Sequence, residues 1–188
     1  VNAVFGFTKM LLKLIDDFKP MYAAVIFDVA RKTFRNDLYE LYKANRSEPP
    51  DELIPQFSII REATNAIGLP VVEMEGFEAD DLIATYSNIA EQMNKKVIII
   101  SSDKDLMQLV DDNTILFDPM KQYWINDKEV FEKFGVYPSK VIDVQSLAGD
   151  SSDNIPGVPG IGIKTAAELI KLYGDLDQLL NRAIEIKQ

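Results

Sequence analysis

Residues 96–110 read KVIIISSDKDLMQLV, and their order decides the fold. Val97 to Ile100 is an apolar run without polar alternation, as expected of a strand covered on both faces in a parallel sheet. At its carboxyl end come Asp103 and Asp105, then a short helix near 105–110. The same design recurs on both sides. Upstream, Ala23 to Phe27 is a short apolar run that ends at Asp28, and Pro70 to Glu73 reads as another short strand. Downstream, Thr114 to Phe117 reads as a fourth, also ending on an acid, Asp118. Helical stripes fill the intervals: Val4, Phe7, Leu11, Leu14, Ile15 and Phe18 within 1–18, a helix over about 51–67, and Ala79, Leu82, Ile83, Tyr86, Ala90 and Met93 after Gly76. Strands separated by helices require right-handed crossovers, so an α/β fold is expected, a mostly parallel sheet with helices on both faces.

From Ser139 the pattern turns wholly helical: a helix to Ala148, the acidic turn 149–153, the loop Pro156 to Gly162, a helix from Lys164 to Tyr173 closed by Gly174, and a last helix from about Leu176 to the end. The expected division is an α/β core over 1–138 and a helical region over 139–188, packed together without a long linker. No internal repeat or low-complexity segment interrupts either part.

The chain has 188 residues, 47% of them hydrophobic and 27% charged, a globular profile. It contains neither Cys nor His, which excludes Cys/His zinc sites, disulfides, thiolate nucleophiles and Ser-His or Cys-His relays. Chemistry must rest on carboxylates, Lys, Arg, Tyr, Ser or Thr, with hard metal ions as the natural help. No apolar run approaches the roughly 20 residues that span a bilayer, so a soluble protein in a reducing compartment is expected. The formal charge of −10, from 30 acidic against 20 basic residues, argues against a nucleic-acid partner unless the acids are gathered at a metal site.

Their positions favour that exception. Open parallel sheets bind ligands beyond the carboxyl ends of their strands. Asp28, Asp103 and Asp105 stand there, Glu78, Asp80 and Asp81 open the helix after Gly76, and Asp150 and Asp153 flank the Ser151-Ser152 turn. Each has a plain alternative as a helix-dipole, capping or loop acid; Asp118 is read in that structural way. Together, eight converging carboxylates without an evident basic neutraliser would repel one another, and divalent cations relieve such repulsion. Oxygen-only ligands select Mg²⁺ or Mn²⁺, and two such ions suit in-line displacement at phosphorus.

A phosphodiester substrate explains the stretch RKTFRNDLYELYKANR at 31–46, whose five basic residues against two acidic are interleaved with Phe34, Tyr39 and Tyr42. Arg and Lys meet phosphates and aromatic rings stack on unpaired bases; the alternative is a solvated amphipathic helix. Gly157 to Gly162, followed by Lys164 and Thr165, offers backbone N–H groups and a helix N-terminus to a backbone phosphate. It is not a Walker loop, because Ile163 intervenes before Lys164 and a helix precedes it. A tight turn between two helices is the alternative.

Four stretches, FDVARKTFRNDLYELYKANR (27–46), GFEADDLIATYSNIA (76–90), SSDKDLMQLV (101–110) and SLAGDSSDNIPGVPGIGIKTAAELI (146–170), together resemble the 5′-nuclease family of flap endonucleases and bacterial polymerase I 5′–3′ exonuclease domains, more strongly the latter. The likeness covers nearly the whole chain, in order. It implies a PIN-like fold with a helical arch around 31–56 and a C-terminal helix–three-turn–helix of the helix-hairpin-helix kind. It also implies a structure-specific nuclease of DNA replication and repair that removes 5′ flaps and RNA primers with two Mg²⁺ or Mn²⁺ ions. By the same likeness Asp28, Glu78, Asp80, Asp81, Asp103, Asp105, Asp150 and Asp153 are metal ligands, and Lys43 and Arg46 are the catalytic basic pair. Arg31 and Arg35 are further phosphate contacts, Tyr39 or Tyr42 a stacking residue, and Gly157, Gly160, Gly162, Lys164 and Thr165 the duplex clamp, with a K⁺ ion on the loop carbonyls.

The expected setting is the bacterial cytoplasm, at the nucleoid. The protein is read as a monomer acting on branched or nicked DNA, with a downstream polymerase domain left open. Family members begin with a strand ending in a metal-binding Asp that has no counterpart here, so an upstream extension is expected and weak or no activity of the fragment alone. Two other readings remain: a catalytically incomplete module that binds branched DNA, and a PIN-type ribonuclease.

Overall fold

A computed structural model describes residues 2–186. Two compact units emerge, one from Val1–Leu38 with Arg46–Ile83, the other from Tyr39–Asn45 with Ala84–Gln188.

In the first unit, helix α1 (Asn2–Phe18) lies against α3 (Ile54–Ala66). The amide N–H groups of Ala3 and Val4, unpaired within their own helix, donate to Gln56 Oε1 at 3.0 and 3.4 Å. Strand β1 (Val25–Ile26) runs parallel to β2 (Val71–Val72). Both strands are two residues long, since Pro70 has no N–H to extend the ladder and the chain departs at Asp28 and Glu73. Between β1 and α3 lies the short helix α2 (Phe34–Leu38), and α4 (Ala79–Gln92) begins in this unit and ends in the other.

The expected helical arch is mostly not helical. Of 31–56, only Phe34–Leu38 and the first turn of α3 are helix, while 40–45 and 51–53 are turns. Lys43 has a left-handed φ of 54°, which ends any helix there, and Pro49, Pro50 and Pro55 each remove an N–H. Pro55 instead sits in the first turn of α3, where it is tolerated, so the helix expected from about 51 begins at Ile54.

In the second unit β3 (Val97–Ile100) pairs parallel with β4 (Thr114–Asp118), which pairs antiparallel with β5 (Tyr123–Ile125). The strands thus divide among small sheets, and antiparallel pairs stand beside the parallel ones. Asp118 supplies the reason: its Oδ1 accepts the N–H groups of Met120 and Lys121 at 2.9 and 3.1 Å, closing the hairpin to β5. The structural reading of Asp118 agrees with this. Neither β5 nor the next helix, α5 (Asp127–Phe134), was expected. Yet Asn126 and Glu129 form a full capping box and Gly135 closes α5 at φ 74°, both readable from sequence.

After a 3₁₀ turn at Pro138–Lys140 follow α6 (Val141–Ala148), the strand pair β6 (Gly149–Asp150) and β7 (Ile155–Pro156), α7 (Ile163–Tyr173) and α8 (Leu176–Asn181). The last helix stops at Asn181, then a 3₁₀ turn covers Ala183–Glu185, and the final two residues lie outside the described ones. Leu116, Val130, Phe134, Val141, Val144 and Ile170 are fully buried and form the heart of this core. β6 and β7 approach closely because Gly149 and Gly157 have no side chain. A Cβ on Gly157 would stand 2.3 Å from the Ala148 carbonyl, and one on Gly149 2.2 Å from Gly157 N.

Candidate functional site

In the first unit the acids at the end of β1 and the start of α4 also build the helix end. Asp28 is exposed, and its Oδ1 accepts the Ala79 N–H at 2.7 Å, while its carbonyl accepts Arg61 Nη2 at 2.8 Å. Asp81 Oδ2 reaches back to the Glu78 N–H at 3.0 Å, half of a capping box, and Glu78 itself is buried. Asp80 lies in the first turn of α4, half-buried. Arg35 grips Asp81 with both guanidinium nitrogens, at 2.7 and 2.8 Å, and lies over the Phe34 ring. Arg31 is tied to Glu48 and to the Ser47 carbonyl. Arg46 is exposed.

In the second unit Lys104, between Asp103 and Asp105 in the chain, places its ammonium 2.6 Å from Asp150 Oδ2. That contact is close but lies off hydrogen-bond direction, leaving Asp150 Oδ2 buried with no aligned donor. Asp150 Oδ1 accepts the Ser152 N–H at 2.8 Å. Burial pushes the Asp150 carboxyl up, but the Lys104 ammonium and the Ser152 donor override it, and the group ends below its ordinary value. Burial works to lower the Lys104 ammonium, yet Asp150, with Asp105 and Asp103, raises it. Asp105 moves the other way: burial raises its carboxyl, with Asp103 adding repulsion, against a 2.6 Å hydrogen bond from Gln145 Nε2. Asp103 is exposed, and its Oδ1 accepts the Asp105 N–H at 2.9 Å.

Asp153, buried, anchors the basic segment. Its Oδ2 accepts the Tyr42 hydroxyl at 3.2 Å and lies 3.8 Å from Lys43 Nζ, while its carbonyl accepts the Lys43 N–H at 2.9 Å. Asn45 donates to the Ser151 carbonyl and Asn154 to that of Leu41, at 2.8 and 2.7 Å, so 39–45 is strapped to 151–154. Tyr42 is therefore buried, its ring under Lys43, and it is not available for stacking on a base; Tyr39 is half-buried.

In the glycine loop Gly157 is required by the close approach to Gly149, and Gly160 by its φ of 82°. Val158 N–H donates to the Leu147 carbonyl at 2.8 Å, joining the loop to α6. Gly162 caps α7 with no side-chain bond, and Lys164 and Thr165 are exposed in its first turn.

The acids are not without basic neutralisers, as composition alone implied: Arg35 serves Asp81 and Lys104 serves Asp150. Among the described residues no three or more carboxylates are gathered tightly enough, as they stand, to hold a metal ion. Sequence reasoning missed Lys104 and Gln145. Lys104 carried a signal, lying between Asp103 and Asp105; Gln145, 40 residues from Asp105, carried none.

Residues 1–135 match the family model of the 5′–3′ exonuclease N-terminal resolvase-like domain, and residues 136–188 that of the 5′–3′ exonuclease C-terminal SAM fold. DNA polymerase I of Rhizobium leguminosarum is 58% identical over 195 residues, covering 100% of this chain and 19% of the relative. A 5′–3′ exonuclease of Aquifex aeolicus is 42% identical over 179 residues, 95% of this chain and 62% of the relative. The chain thus spans only part of the curated relatives it matches. Among solved structures, the T5 D15 protein co-crystallized with metal ions superposes with a TM-score of 0.83 at 24% identity, covering 95% of this chain and 71% of that one, a likeness of fold. No helix among the described residues is long and apolar enough to cross a membrane. With an α/β resolvase-like part and a helical part both matched end to end, the chain belongs to the 5′–3′ exonuclease family.

Proposed function

We propose that this chain is a structure-specific, divalent-metal-dependent 5′ nuclease that hydrolyses phosphodiesters of DNA, and of RNA primers, at 5′ flaps and ends in replication and repair. The observation that carries the reading is Asp150 Oδ2, a buried carboxylate oxygen with no aligned donor, beside a lysine ammonium and in the company of Asp103 and Asp105. The Lys104 ammonium is one positive charge among three carboxylates, which leaves room for a cation of higher charge, and a donor set of carboxylates alone suits Mg²⁺ or Mn²⁺. The carboxylates present fit such ions by chemistry.

By residue type, Asp28, Glu78, Asp80, Asp81, Asp103, Asp105, Asp150 and Asp153 would hold the two ions. Bound there, the ions supply a lowered water pKa and stabilisation of the leaving oxygen. Lys43 and Arg46 steer the scissile phosphate and offset its developing charge. In support, Lys43 Nζ stands 3.8 Å from the Asp153 carboxylate. Arg31 and Arg35 contact neighbouring phosphates, the latter after leaving Asp81, and Tyr39 carries base stacking. Gly157, Gly160, Gly162, Lys164 and Thr165 hold the duplex backbone, with a K⁺ ion on the loop carbonyls.

The core extends over 1–138 and the helical region over 139–188, a division near which the two family models meet. The protein acts as a monomer in the bacterial cytoplasm, and relatives called DNA polymerase I favour a polymerase domain downstream.

A fluorescent 5′-flap duplex offered to the full-length protein tests the reading. The expected result is release of the flap with Mg²⁺ or Mn²⁺ and none in EDTA. Binding of the flap with no cleavage in either metal would make the chain a branched-DNA-binding module. Cleavage confined to single-stranded RNA would make it a PIN-type ribonuclease.

A further inference from the structure

We propose that Lys104 is an exchangeable internal counter-cation: in the metal-free protein its ammonium neutralises the Asp103, Asp105 and Asp150 rim, and it leaves for solvent when a divalent ion enters. This inference rests on the metal-dependent reading above.

Three features support it. First, charge is under-balanced. Among the described residues Lys104 is the one basic side chain ion-paired to any of these three carboxylates, so one positive charge faces three negative ones. The other contacts of Asp103 and Asp105 are neutral donors, the Asp105 N–H and Gln145 Nε2. Second, the contact is loose in direction though short, because Asp150 Oδ2 lacks an aligned donor despite the ammonium 2.6 Å away. An ammonium is a strongly hydrated point charge on a flexible stem, without the planar fork that locks a guanidinium onto a carboxylate. Third, it has an exit. The Lys104 side chain is 31% exposed whereas that of Asp150 is 7% exposed, so the lysine head can swing into water while the carboxylate stays.

The exchange balances charge better in both states: a single positive charge relieves the acids when no metal is present, and two replace it when metal binds. Lys104 would then weaken the first metal-binding step, since the ion pair must break, and stabilise the metal-free fold. It is a positioning residue and touches no reacting atom.

Three measurements on the full-length protein test this: Mn²⁺ titration followed by the paramagnetic resonance of free Mn²⁺, thermal melting in EDTA, and amine labelling of Lys104 read by mass spectrometry. Lys104→Met is expected to tighten Mn²⁺ binding roughly fivefold, the size of one partly screened charge, and to lower the melting temperature in EDTA but not in saturating Mn²⁺. Lys104→Arg is expected to keep the metal-free melting temperature. In the wild type, labelling of Lys104 is expected to speed up when Mg²⁺ is added.

Equal or weaker Mn²⁺ binding by Lys104→Met, with the wild type binding normally, overturns the exchange while leaving the metal-dependent reading intact. If Lys104→Met does not fold, unchanged labelling of wild-type Lys104 with Mg²⁺ overturns it instead. A wild type that binds no Mn²⁺ at millimolar concentration overturns both.

Discussion

Asp81 and Asp150 each meet a cation of their own chain, but in different ways. Arg35 holds Asp81 through two aligned bonds of 2.7 and 2.8 Å, and Asp81 also caps α4 through the Glu78 N–H. Asp28, from the same group of acids, accepts the Ala79 N–H at that helix start. Asp28 and Asp81 are therefore fastened into the start of α4. In the second unit Asp150 faces a lone ammonium, Asp103 is exposed, and Asp105 is held above its ordinary pKa by burial. Identical residue types thus meet a bidentate guanidinium in one place and a single ammonium in the other. The difference comes from the partner: a planar bidentate guanidinium supplies geometry as well as charge, whereas an ammonium supplies charge alone.

The sharpest break of this comparison is a pair of alanine variants. Asp103→Ala is expected to reduce metal-dependent flap cleavage by at least about 100-fold, more than losing a residue that merely supports a metal ligand, and to leave stability within about 0.5 kcal/mol. Asp81→Ala is expected to lose as much activity and also about 1–2 kcal/mol of stability, because a helix cap goes and Arg35 is stranded. Equal melting temperatures for the two variants would erase the distinction between the units.

A second variant probes the frame of the looser group. Gly157→Ala forces a Cβ to within 2.3 Å of the Ala148 carbonyl and pushes apart the strand pair that carries Asp150. The expected cost in chemical denaturation is about 2–3 kcal/mol, with reduced Mn²⁺ binding. Gly160→Ala, with open space around it, is strained only through its φ of 82° and is expected to cost less.

The smallest effect is a pH dependence. A carboxyl whose folded pKa is raised binds its proton more tightly folded than unfolded, so it favours folding at low pH. That advantage is lost as pH climbs from the ordinary Asp value of about 3.9 through the raised value, and above it the stability is flat. Metal-free melting of wild type against Asp105→Asn should show the wild type losing ground across this window, whereas no such divergence would mean that Asp105 is not held as described. Asp150 has the opposite sign, its stabilising contribution fading as pH falls through its lowered pKa.

Much of the fold was legible. The runs at 97–100 and 114–117 became the parallel pair β3 and β4, and the stripe at 79–93 became α4, but the covering expected on both faces of β3 is incomplete, since Ile98 is exposed, as are Tyr86 and Met93 of the α4 stripe. The helical arch was not, since a basic stretch with scattered aromatics looks helical until the left-handed Lys43 and the Pro49-Pro50 pair divide it. α5 was legible but unread, its signal being the capping pair Asn126 and Glu129 rather than a long apolar stripe. At the site, the acids were identifiable by type and position, whereas the role of Tyr42 was misjudged: an aromatic in a basic segment suggests stacking, but the Asp153 acceptor drew it inside.

Read alone, the chain of residues determined the strands at 97–100 and 114–117 and the helix after Gly76, the absence of thiol and imidazole chemistry, and the acidic character of the strand ends, because local periodicity and side-chain type need no partner to be defined. Tertiary structure alone decided which acid is capped, clamped or left to an ammonium. Arg35 and Asp81 lie 46 positions apart, Asp105 and Gln145 40 apart, and a carboxylate's charge state and freedom depend on such distant neighbours through distance, direction and burial.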